Sequence, residues 1–150
     1  MPRKAWHLLE WPMSQTSSPW SSVRVPKAPA IPRRVWIFGP SPARIQAAVD
    51  ALAKAGHEGK PGESGGELAP ALRDYRPDLI VIDMQDAVER GRHLAIQLRA
   101  DRTTRQLPIV LVGIKGEEGA KAERACQGPT RRYALPLDTP SVLGALVCEL

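Results

Sequence analysis

The stretch Pro77-Asp78-Leu79-Ile80-Val81-Ile82-Asp83 decides the fold of this chain. Four consecutive apolar residues, Leu79 to Ile82, are bounded by a proline and by acids, which is typical of a β-strand buried on both faces. An acid at the C-terminal end of such a strand faces the crevice in which open α/β sheets hold their ligands. Asp83 is therefore the first candidate for a functional residue.

Strands and helices alternate on both sides of this stretch. Ser41-Pro42 is typical of a helix start, and Gly56 of a helix end. The segment 57–63 contains two glycines and a proline, so it predicts a weak strand at an edge. Single helices between strands imply right-handed crossovers and a parallel sheet. The remaining predicted strands are 35–38, 108–113 and 133–137, and the later helices lie around Leu68–Tyr75, Leu94–Leu98, Glu118–Cys126 and Val142–Val147.

The charge of this 150-residue chain is unevenly distributed. Its formal net charge is +5, yet residues 1–34 hold six basic residues and one acid, so residues 35–150 are neutral. The electrostatic footprint of a nucleic-acid-binding domain is therefore not expected in the folded part.

The N-terminal residues 1–32 contain six prolines and a serine-rich stretch, which predicts a disordered tail. Trp6, Trp11 and Trp20 favour an alternative, in which the basic tail docks onto a partner or an anionic surface. We expect a cytoplasmic protein, because no apolar run approaches the ~20 residues of a membrane span and no signal peptide is evident. Cys126 and Cys148 lie outside any C-x-x-C spacing and are expected to be reduced thiols rather than metal ligands.

The order and spacing of these elements resemble the receiver domain of bacterial response regulators over residues 35–150. The stretch 77–83 looks like the strand that leads to the phosphoacceptor aspartate of that family. The resemblance implies an α/β fold with a doubly wound, five-stranded parallel sheet in the flavodoxin-like order 2-1-3-4-5, spanning a domain of residues 33–150. The other positions in register with the family are Gly91, Leu98-Arg99, Leu107-Pro108, Gly128 and Pro136.

The resemblance also implies a set of chemical positions, and most of them have changed. Receivers hold Mg²⁺ with an acidic pair after the first strand, and they place a Ser or Thr after the fourth strand and a Lys after the fifth. Here the acidic pair is Gly39 and Pro40, the hydroxyl position is Gly113, and the lysine position is Leu135. Asp83 is then expected beside the apolar Leu135, without metal or ammonium, where it would cap backbone donors of a neighbouring loop.

These positions predict a degenerate receiver that works by protein–protein contact in bacterial two-component signalling. We expect no enzymatic activity, no cofactor and no bound metal. The resemblance implies that a signalling partner binds the face made by the fourth helix, the fifth strand and the fifth helix, which includes Arg132 at the family's aromatic switch position and Tyr133.

Two other functions stay open at this stage. Asp83 could still accept a phosphoryl group, if Asp86 with Glu117 or Glu118 rebuilds a metal site. Alternatively, the loop 39–41 and the Asp83 crevice could bind a nucleotide or another small ligand, although the loop lacks the G-x-G-x-x-G pattern.

Three further patterns favour ordinary structural roles. The G-x-S-x-G match at 62–66 follows the weakest strand and predicts a flexible turn. The histidines His7, His57 and His93 have no metal-binding spacing. The arginines near the third helix predict a solvated face, with a docking patch as the alternative; they are Arg90, Arg92, Arg99, Arg102 and Arg105.

Overall fold

A parallel sheet of five strands forms the centre of the part of the chain that the structure describes. The structure, a computed structural model, describes residues 31–62 and 68–150. In these ranges the strands are β1 Arg34–Phe38, β2 Glu58–Pro61, β3 Leu79–Asp83, β4 Ile109–Val112 and β5 Thr130–Tyr133, in the order β2-β1-β3-β4-β5. The helices are α1 Pro42–Lys54, α2 Leu68–Tyr75, α3 Val88–Ala100, α4 Gly116–Ala125 and α5 Pro140–Glu149. The predicted fold class and strand order are confirmed.

The central strands β1, β3 and β4 are apolar except for Arg34 and Asp83 at their ends, because both faces of the sheet are covered. In β3, Ile80 and Ile82 pack on the side of α2, α3 and α4, whereas Leu79 and Val81 pack on the side of α1 and α5. All five residues of β3 are buried, including Asp83. This double burial explains the continuous apolar run that identified the strand in the sequence.

The first turn of α1 is fixed by its cap. The hydroxyl of Ser41 accepts the N–H of Arg44 at 3.3 Å, and Pro42 occupies the first turn, as the sequence predicts. Gly56 follows the helix with φ +88°, a conformation that favours glycine. The cap places the start of α1, and with it Arg44, at the carboxyl edge of the sheet.

β2 is the predicted edge strand. Among the described residues it pairs with β1 alone, from Arg34 opposite Glu58 to Ile37 opposite Pro61. A proline is tolerated in such an edge strand because its outer side has no described strand to which it must donate. The ammonium of Lys60 lies 5.2 Å from the ring centroid of Trp36, so a cation–π contact supplements the weak pairing.

The predicted position of the fifth strand is wrong. It lies at Thr130–Tyr133, not at residues 133–137, because β4 pairs from Ile109 opposite Thr130 to Val112 opposite Tyr133. The alternation of apolar residues after Tyr133 belongs to a turn that delivers the buried Leu137 to the core under α1 and α5. The fourth helix also begins two residues before the predicted Glu118.

Arg99 does not belong to a solvated arginine face. Its guanidinium donates to the main-chain carbonyls of Arg105, Leu107 and Pro129 at 2.9, 2.6 and 2.6 Å. It therefore joins the end of α3 to the segments that enter β4 and β5. The other arginines of that row lie on the surface or, for Arg90, at the rim of a small cavity.

Several predictions fall on residues that are not described. The proposed tail lies outside the described residues except for 31 and 32, as do His7 and residues 63–66 of the predicted turn. The division into a tail and a domain stays a prediction.

Cys126 is buried and Cys148 exposed, both as free thiols. Within 31–62 and 68–150, no helix has the length and hydropathy needed to cross a membrane.

Candidate functional site

Asp83 lies where the carboxyl ends of three strands meet. It is the last residue of β3 and is paired with Val112 of β4, while Phe38 of β1 pairs with the preceding Ile82. Its side chain has no exposed surface. A buried carboxylate must find a counter-charge or hydrogen-bond donors, so the identity of its partners decides what the site can do.

One carboxylate oxygen is bound by an arginine that the sequence analysis did not single out. Nε of Arg44 donates to Oδ2 of Asp83 at 2.7 Å, and the Arg44 side chain is only 16% exposed. The expectation of a lone Asp83, with neither metal nor ammonium, did not include this guanidinium, which supplies the counter-charge. A signal was present in the sequence: Arg44, Ala48 and Leu52 follow each other at intervals of four, which places Arg44 on the buried stripe of α1.

The other carboxylate oxygen is bound by the adjoining loop. The N–H of Gln85 donates to Oδ1 of Asp83 at 3.1 Å, which is the backbone contact expected of a capping carboxylate. The same Arg44 side chain also reaches this loop, since Nη2 lies 3.4 Å from the Gln85 carbonyl oxygen. Both oxygens of Asp83 are thus engaged by the protein itself.

Gly39 and Gly113 flank Asp83 at the two positions where receivers carry an acid and a hydroxyl. A Cβ on Gly39 would lie 2.7 Å from Cβ of Asp83. A Cβ on Gly113 would lie 2.9 Å from Cβ of Gln85 and 3.3 Å from Oδ1 of Asp83, and φ of Gly113 is +75°. Both glycines lie beside Asp83 or its adjoining loop, and neither position has room for a side chain with the backbone in this conformation.

The expected apolar neighbour, Leu135, lies elsewhere. Leu135 is 51% exposed to solvent. It joins the site through its main chain, because its carbonyl accepts the N–H of Gly113 at 3.0 Å. The cation beside Asp83 is Arg44 of α1, which follows β1, whereas Leu135 follows β5 on the other side of β3.

The residues around Asp83 do not fit Mg²⁺. The ion requires oxygen ligands in near-octahedral geometry, and a guanidinium at 2.7 Å already occupies one carboxylate oxygen. Pro40 offers no ligand, and Asp86, Glu117 and Glu118 are exposed. Among the described residues, no three His, Cys, Asp or Glu side chains cluster closely enough to hold a metal ion.

A cavity beside Asp83 is small. It measures about 30 Å³ and is lined by the β1–α1 loop, Gly62 and the start of α3, including Arg90. Ligand pockets typically measure ~300–1,000 Å³, so this space suits about one water molecule rather than a nucleotide. The geometry therefore gives the small-ligand alternative no support.

The predicted interaction residues, Arg132 and Tyr133, are half-buried and tied to neighbouring helices. Nε of Arg132 lies 3.4 Å from Oε1 of Glu123 on α4, and the Tyr133 hydroxyl donates to Oε1 of Glu149 on α5 at 3.1 Å. Burial, together with the neighbouring Glu149, raises the pKa of Tyr133. These contacts join β5 to both helices of the expected face.

Comparisons with known proteins agree with this architecture. No known protein-family model matches the chain. It is 27% identical to the protein PilH of Pseudomonas aeruginosa over 110 residues, which cover 73% of this chain and 91% of the relative. It is 30% identical to the polar-differentiation response regulator DivK of Brucella ovis over 95 residues, covering 61% of this chain and 74% of that protein.

A solved structure shows the same fold. The chemotaxis response regulator CheY4 of Vibrio cholerae superposes with a TM-score of 0.65 at 18% identity, over 79% of this chain and 98% of that one. An aspartate at the end of the third strand, the sheet order and the relationship to DivK converge on one assignment. The chain belongs to the response-regulator receiver family of two-component signalling.

Proposed function

We propose that this protein is a degenerate receiver, which acts in the bacterial cytoplasm by binding a signalling partner and does not use Mg²⁺-dependent phosphorylation of Asp83. The observation that carries the proposal is the ion pair between Nε of Arg44 and Oδ2 of Asp83 at 2.7 Å, with the Asp83 side chain fully buried. The partner stays unidentified, and the folded domain is not expected to bind nucleic acid.

The chemistry of phosphoryl transfer supports this reading. A carboxylate that attacks a phosphoryl group needs a free oxygen and positive charge placed to neutralise the transferring group. Here Arg44 and the Gln85 N–H already satisfy the two oxygens. Gly39 and Gly113 supply neither a ligand nor a hydroxyl, and the space their side chains would need is filled.

We assign partner binding to the face made by α4, β5 and α5. Arg132 and Tyr133 connect β5 to the two helices through Glu123 and Glu149. The contacts fix the relative positions of the three elements, which suits a preformed surface rather than one that phosphorylation must assemble.

Incubation with acetyl phosphate and Mg²⁺, followed by intact-protein mass spectrometry, tests the proposal. We expect no phosphoryl adduct on this protein, whereas a receiver that retains the acidic pair, hydroxyl and lysine should show one under the same conditions. An adduct that disappears in Asp83→Asn would overturn the proposal and establish the phosphorylatable alternative.

A further inference from the structure

The Arg44 guanidinium contacts two different segments beyond its own helix. Nε bonds the end of β3 at Asp83, and Nη2 lies 3.4 Å from the carbonyl oxygen of Gln85 in the loop 84–87. We infer that Arg44 is a conformational latch, which holds this loop closed against the turn that follows β4. The inference goes beyond the proposed function, for which Arg44 need only block a carboxylate oxygen.

The loop 84–87 contains a conformation that requires support. Asp86 has φ +66°, which is uncommon for a residue with a side chain and carries a conformational cost. The helix that follows begins at Val88 after Ala87, whose side chain makes no capping hydrogen bond. Such a loop keeps one conformation only if its surroundings fix it, and the rigid fork of an arginine can bind two acceptors in one geometry.

The latch extends to a second loop through packing. A Cβ built on Gly113 would lie 2.9 Å from Cβ of Gln85, so Gln85 packs directly against Gly113. The N–H of Gly113 in turn donates to the carbonyls of Tyr133 and Leu135, both at 3.0 Å. The closed loop 84–87 therefore packs directly on the turn after β4, and that turn is bonded to the end of β5.

This arrangement places Arg44 in control of a route from α1 to the proposed partner surface. If the loop 84–87 opened, the space over Gly113 would be vacated, and the turn that leads into α4 would lose a packing partner. The charge on Arg44 alone would not suffice for the latch, because its second arm reaches the Gln85 carbonyl. A lysine would therefore preserve the ion pair but not the closure.

Hydrogen–deuterium exchange of the full chain tests the latch, with Arg44→Gln, Arg44→Lys and the control Arg92→Gln. Arg92 pairs with Glu89 on the exposed side of α3, so its loss removes a charge away from the site. We expect amides in 84–87 and 113–115 to exchange about tenfold faster in both Arg44 variants, the change that corresponds to about 1.4 kcal/mol of local opening. In Arg44→Lys, which keeps the ion pair, the amides of β2 should exchange at wild-type rates. All amides of the Arg92→Gln protein should do so as well.

The outcomes separate the latch from a general loss of stability. Wild-type exchange of 84–87 in Arg44→Lys would overturn the latch and leave Arg44 as a counter-charge alone. Faster exchange spread evenly over all strands in Arg44→Lys, which keeps the ion pair, would overturn it as well. Neither result bears on phosphorylation, because the acetyl phosphate experiment uses the wild-type protein and its failure or success is read independently.

Discussion

The ion pair between Arg44 and Asp83 predicts a large and strongly coupled effect on stability. Removing one partner of a buried pair leaves an uncompensated charge and typically costs ~3–5 kcal/mol. Because the Arg44 side chain keeps 16% exposure, we expect Arg44→Gln to lower the free energy of unfolding by about 3 kcal/mol, near the lower end of that range. Asp83→Asn leaves a cation that can reach water and should cost about 1.5 kcal/mol.

The double variant distinguishes a true pair from two independent effects. With no buried charge left to compensate, Arg44→Gln combined with Asp83→Asn should cost about 2.5 kcal/mol, which corresponds to a coupling of about 2 kcal/mol. Urea unfolding of the four proteins, with m-values compared to verify two-state behaviour, measures it. A coupling below about 0.5 kcal/mol would refute the reasoning, because independent sites add to within that amount.

A matched control is present on α3. Arg92 and Glu89 also lie 2.7 Å apart, but their side chains are 38% and 74% exposed. The same cycle on this pair should give a coupling of only about 0.2–0.5 kcal/mol, since exposed helix pairs at this spacing contribute little. The comparison holds the distance constant, so the difference measures the effect of burial.

Three further predictions concern other parts of the domain. Gly113→Thr should destabilise the fold by about 2–3 kcal/mol, from φ +75° and the contact with Gln85, and a melting temperature equal to wild type would contradict it. Arg99→Met should cost about 2–4 kcal/mol in urea unfolding, because three main-chain carbonyls lose a charged donor; a loss below about 0.5 kcal/mol would exclude that role. Burial, with a further contribution from Glu58, raises the pKa of Tyr75. Because the unfolded chain ionises first, the contribution of Tyr75 to the free energy of unfolding is fully present below about pH 10 and declines above it. Tyr75→Phe should flatten this alkaline decline in urea-unfolding midpoints, and an unchanged decline would assign it to other groups.

The fold was predictable because its signals are local. The apolar run before Asp83, the Ser41 cap and the proline in β2 each have a short-range physical cause, and all three lie where the sequence places them. The fifth strand was misplaced because its position depends on which residues pair with β4. That choice is made by the packing of the whole sheet, and the apolar alternation at Leu135 and Leu137 indicated a strand where the chain turns.

The sequence shows which residue types stand around Asp83, but not which residue pairs with it. Glycine has no side chain, so the sequence alone shows that Gly39 and Gly113 offer no side-chain ligand to a metal ion. The counter-charge of Asp83 comes instead from a helix 39 positions earlier in the chain. Only the three-dimensional approach of α1 to the end of β3 reveals it, although the buried stripe that contains Arg44 was a usable hint.

The closeness of the backbone at Gly39 and Gly113 bears on how such a domain can change over generations. Restoring an acid at Gly39 would drive Cβ to within 2.7 Å of the Asp83 side chain, and a hydroxyl residue at Gly113 would meet Gln85. Each single step back towards a metal-binding site therefore passes through a strained protein while Arg44 still neutralises Asp83. Several substitutions would have to arise together, so a metal-binding site at this position is hard to reach by single point mutations. The proposed partner surface, made by α4, β5 and α5, carries no such constraint from Gly39 and Gly113.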